Sequence, residues 1–172
     1  IPRADLWHHI RPAALSRVID HARTTHQHVV IDCSFDLNRG EEIEPGPSDI
    51  TETVLGLADL TLLIGRPDPV GIARTLRSAE EAKDRAQELA IVFNGLRSST
   101  PWSKNEIADM VFHVTQQRPL TFLPFDAEVC DRALLRGEPV TEAISDSPLA
   151  KSIAALADMI RSTLEPVSVS SS

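Results

Sequence analysis

No apolar run in the 172-residue chain approaches the roughly 20 residues needed to cross a bilayer, so no segment reads as a membrane span. Positive charge is scarce: 17 Lys+Arg stand against 25 Asp+Glu, a formal net charge of −8. Broad contact with nucleic-acid phosphates draws on clustered Lys and Arg, so such binding is disfavoured and only a local basic patch stays open. Cysteine is nearly absent. Cys33 and Cys130 lie too far apart for paired metal-ligand spacing, which suggests a reduced, cytoplasmic setting with two buried thiols. No charged-then-apolar leader follows Ile1, and a start at Ile suggests a processed chain or a fragment.

What is present is the balance of a globular domain, with 42% hydrophobic and 24% charged residues, enough to bury a core. Two kinds of segment alternate. The runs HVVID (28–32), LTLLI (60–64), LAIVF (89–93) and LTFL (120–123) are short, continuous and rich in β-branched or aromatic residues, the pattern of strands buried on both faces. Val30, Leu62, Ile91 and Phe122 are their expected core residues.

Helical patterns lie between the runs. Pro12 can open one carrying Leu15, Val18, Ile19 and Ala22, and Asp68 with Pro69 opens another carrying Ile72, Leu76, Ala79 and Ala86. Ser103 and Glu106 form a capping box ahead of Ile107, Met110, Val111 and Val114. Asp126 can cap a helix with Val129, Ala133 and Leu134 on its apolar face, ended by Gly137. A last helix starts at Ser147 and Pro148 and carries Leu149, Ile153, Leu156, Ile160 and Leu164, and the tail VSVSSS reads as loose.

Strand and helix in alternation, without hairpin signals, give a three-layer α/β fold with a mostly parallel sheet flanked by helices. Ligands of such sheets bind beyond the carboxyl ends of the strands. Here those ends are Asp32 to Asp36, Gly65 to Asp68, Asn94 to Arg97 and Pro124 to Asp126.

Asp32 follows an apolar run and can hold the water shell of Mg²⁺ beside a phosphate, or serve as a helix cap or plain surface acid. Asn94 offers the donor and acceptor that reading a purine edge requires, and also suits a turn before Gly95. None of the seven glycines opens a G-x-x-x-x-G-K-[ST] loop, and neither G-x-G-x-x-G nor G-x-S-x-G occurs. His8, His9, His21, His26 and His28 lack metal-ligand spacing and read as solvated or half-buried. The segment 34–49, with Glu41, Glu42 and Glu44, is either a solvated loop or a switch that orders on ligand binding.

The succession VVIDC, AD-L-TLLIG, IVFNG, LPFD and G-EPV-TEA with SPLAKSIAALADMI resembles the later part of the MinD/ParA family of P-loop ATPases, nearest the CpaE or TadZ type, over about residues 12–164. The resemblance implies a P-loop NTPase-like domain, incomplete at its N-terminus, over residues 1–166, followed by a flexible tail at 167–172. It also implies an ATPase that positions or partitions chromosome, pilus or septum components, binds ATP and Mg²⁺, forms an ATP-dependent homodimer and answers to a partner protein that stimulates hydrolysis. By resemblance Asp32 is the catalytic and Mg²⁺-supporting acid, Asn94 reads the base, and Pro124, Phe125 and Asp126 close over it. The family often places Pro where Ser34 stands, and its phosphate loop falls upstream of these residues. A non-catalytic α/β module that pairs with an ATPase subunit is the competing expectation.

Overall fold

The computed structural model describes residues 10–33 and 47–164. His8, His9, Glu41, Glu42, Glu44 and the tail at 167–172 lie outside the described residues. In chain order the elements are α1 (Pro12–Thr25), α2 (Pro47–Leu57), β1 (Thr61–Gly65), α3 (Pro69–Ala82), β2 (Leu89–Leu96), α4 (Lys104–Thr115), β3 (Thr121–Pro124), α5 (Ala127–Arg136), α6 (Val140–Ala143) and α7 (Pro148–Leu164). They form two compact units. One comprises the described residues up to Thr61 together with Glu80–Leu89, and the other comprises Leu62–Ala79 and the chain from Ala90 on.

In the first unit α1 packs on α2, and Ile19, Val54 and Leu55 on these helices are buried. Arg23 joins the two helices. Its Nη2 donates to the Leu57 carbonyl at 2.6 Å and to Asp59 at 2.8 Å, satisfying a carbonyl that the end of α2 leaves unpaired. Residues 28–33 of this unit are exposed and carry no ladder, against the strand expected at 28–32. An apolar run becomes a strand only where a neighbouring strand takes up its N–H and C=O groups, and none of the described residues does so here. Val30, expected in the core, is 95% exposed. Cys33 is exposed and Cys130 only partly covered, so neither is the buried thiol expected.

Among the described residues the sheet has three strands, in the order β1–β2–β3, rather than the four expected, and almost all of it belongs to the second unit. β2 and β3 run parallel, with Val92 opposite Thr121 and Phe93 opposite Phe122. Only β2 is buried on both faces: Ile91, Val92 and Phe93 are all but inaccessible, while Leu62 and Phe122 on the outer strands are partly covered. Val92 faces a cluster with Leu123, Val129, Leu149 and Leu156, which ties β3, α5 and α7 together. Phe93 stacks on Phe122 with ring centroids 5.5 Å apart.

The sequence signals for helix ends hold. Ser103 and Glu106 complete a reciprocal capping box, Asp126 accepts from the Val129 N–H at 3.1 Å, and Gly137 ends α5 in the left-handed region. Ser147 Oγ accepts from the Ala150 N–H at 3.1 Å to start α7. α3 stops at Ala82, so Ala86 falls beyond it. Val18 and Leu134, placed on apolar faces by their spacing, are exposed, because periodicity marks a helix face and not the extent of its neighbour. α2 and the short α6 have no counterpart in the expected elements.

Candidate nucleotide-base site

Strand ends in the second unit converge through a single irregularity. In the β2–β3 register Asn94 lies opposite Leu123, but Leu96 lies opposite Pro124, so Gly95 is an extra residue on β2. Its φ of +82° is one that a side chain resists, which is why glycine occupies this bulge. Space is not the reason: a Cβ at Gly95 would meet Phe125 Cδ2 at 3.9 Å, an ordinary contact. Past the bulge the Phe125 N–H donates to the Leu96 carbonyl at 2.8 Å and holds the loop after β3 against the end of β2.

The arrangement brings Asn94, Pro124, Phe125 and Asp126 together at the carboxyl end of the sheet. Asn94 is exposed, and among the described residues its amide makes no hydrogen bond, leaving donor and acceptor available. Phe125 is 49% exposed as a residue. Asp126 is committed to capping α5, so its contribution is to fix the loop rather than to bind with a free carboxylate.

The spacing of apolar residues gave no hint of Arg97. Its guanidinium carbon lies 4.0 Å from the centroid of the Phe125 ring. The only signal in the sequence was its place two residues past Gly95, on a strand-end segment. At the end of β1, Asp68 caps α3 through the Gly71 N–H at 2.9 Å and pairs with Arg66 at 2.9 Å.

Asp32 belongs to the first unit, in the exposed stretch before residue 34. Its neighbour Cys33, though exposed, has its thiol pKa raised, first by partial desolvation of the thiol and second by the Asp32 charge. Mg²⁺ bound beside phosphate needs only one or two carboxylates, so a lone acid fits that chemistry. No group of three or more His, Cys, Asp or Glu side chains able to hold a metal occurs among the described residues, and His21, His26 and His28 are exposed.

No family model matches the sequence, and no curated protein sequence matches it. Solved structures do. A ParA family ATPase from Chlorobium tepidum TLS superposes with a TM-score of 0.66 over 86% of this chain, at 19% identity. The fold is that of the ParA and MinD ATPases. The MinD cell division protein of Aquifex aeolicus superposes equally well, with a TM-score of 0.66 over 91% of this chain, at 15% identity. The chain spans 56% of the ParA family chain and 63% of the MinD chain. Among the described residues no helix is long and apolar enough to cross a membrane.

Proposed function

We propose that this chain supplies the base-binding side of an ATP-dependent positioning or partitioning ATPase of the MinD/ParA type, nearest the CpaE or TadZ proteins that localise pili and septa. The observation that carries the reading is the Gly95 bulge, which sets the open amide of Asn94 and the half-exposed Phe125 ring at one end of a parallel sheet.

In this reading Asn94 exchanges hydrogen bonds with the purine edge, Phe125 offers its face to the ring, and Pro124 and Asp126 hold the loop in place. Asp32 would hold the water shell of Mg²⁺, and the ion would supply charge neutralisation at the phosphates. These residues would act within a domain that also carries a phosphate-binding loop, in a cytoplasmic protein that dimerises around ATP and is stimulated by a partner. Cargo among chromosome, pilus and septum is a matter of surfaces outside this site.

The test is a titration of ATP and Mg²⁺ into the chain and its variants, followed by NMR. Asn94→Ala should weaken binding by the loss of one or two hydrogen bonds of about 0.5–1.5 kcal/mol each. Asp32→Ala should leave adenosine binding intact and remove the Mg²⁺ dependence of ATP binding. Equal affinities for Asn94→Ala and the parent chain would refute the base-reading role.

A further inference from the structure

We propose that Arg97 is a displaceable cover over the face of Phe125 and sets the affinity of the site for a planar base. The inference rests on Phe125 being the base platform. The guanidinium is a flat, delocalised group, and at 4.0 Å from the Phe125 centroid it occupies the position a stacked purine would take. No base fits between the two at that separation, so a base reaches this face of the ring only if Arg97 leaves it.

The local structure makes such a departure cheap. The Arg97 N–H donates to Thr100 Oγ1 at 3.2 Å and the Thr100 N–H donates to the Arg97 carbonyl at 3.1 Å, which fixes the backbone of the turn. The side chain is exposed, and among the described residues it forms no salt bridge that its movement would break. Stacking of a base on an aromatic ring outweighs a solvent-exposed cation–π contact, so the exchange runs toward the bound base. The cover therefore costs affinity: a base that stacks on this face must first give back the Arg97–Phe125 contact.

The experiment follows adenosine and ATP binding to the 172-residue chain by NMR, reading affinity and the Arg97 Hδ and Hε resonances together. In the free chain the Phe125 ring current should move those resonances upfield, and Phe125→Ala should abolish the shift. Saturating adenosine should also return them toward unperturbed positions. Arg97→Ala should bind adenosine about two- to fivefold more tightly, the equivalent of an exposed cation–π contact. Arg97→Lys, which keeps the charge without the flat face, should fall between.

Unchanged or weaker binding in Arg97→Ala, with Phe125→Ala still impaired, would overturn the cover and leave the platform standing. Adenosine affinity untouched by Phe125→Ala, or no adenosine or ATP binding at all, would overturn the platform and the cover with it.

Discussion

A Cβ placed on Gly65 would lie 2.2 Å from Thr75 Oγ1, so the end of β1 and the middle of α3 can approach as they do only because residue 65 has no side chain. Thr75 is buried, and its hydroxyl is committed to the Gly71 carbonyl at 2.8 Å. Phe93 Cε1 closes the same space at 3.0 Å. Gly65→Ala should therefore destabilise the chain by about 1–3 kcal/mol, the usual range for overpacking. Thr75→Ala in the same chain should recover part of the loss, since it removes the nearer obstacle. Urea midpoints of the two single variants and the double variant measure both effects.

The capping box of α4 gives a second, pH-dependent expectation. Ser103→Ala should cost about 1 kcal/mol, the ordinary value for losing a serine cap. The Glu106 carboxyl is held below its ordinary pKa, first by the hydrogen bond from the Ser103 backbone N–H and then by the Ser103 side chain. A lowered carboxylate pKa means that the unfolded state takes up protons first as pH falls. The Glu106 contribution is therefore complete above the ordinary Glu range and is lost as pH falls through that range toward the lowered folded value. Glu106→Gln should flatten this part of the stability profile, measured by urea unfolding across that range, whereas Ser103→Ala, which keeps the backbone N–H that Glu106 accepts from, should flatten it only in part.

Burial separates two residues that sequence pattern treats alike. Val30→Asp should change stability little, because Val30 is 95% exposed. Ile91→Asp should prevent folding or lower stability severely, because an unpaired carboxylate would sit at a fully buried position on the central strand. Circular dichroism with urea unfolding distinguishes them.

These contrasts show where the sequence was readable. Caps were legible because each is a local exchange of hydrogen bonds within a few residues, as at Ser103, Asp126 and Ser147. Strand status was not, because it depends on a partner: Val29, Val30 and Ile31 have the composition of a strand, yet the described residues give them no neighbour. At the candidate site, Asn94, Pro124 and Phe125 could be found as strand-end residues. Arg97 fell on the same strand-end segment, but its contact with Phe125 was not legible, because it arises beyond a bulge that shifts the register by one residue.

Photolabelling with an azidoadenine analogue of ATP, followed by mass-spectrometric mapping of the modified peptides, asks where the base binds without relying on any substitution. Modification should be confined to the peptides carrying Asn94 to Arg97 and Pro124 to Asp126, and excess ATP should suppress it. Labelling that excess ATP suppresses equally well but that falls elsewhere in the chain would contradict this placement of the base.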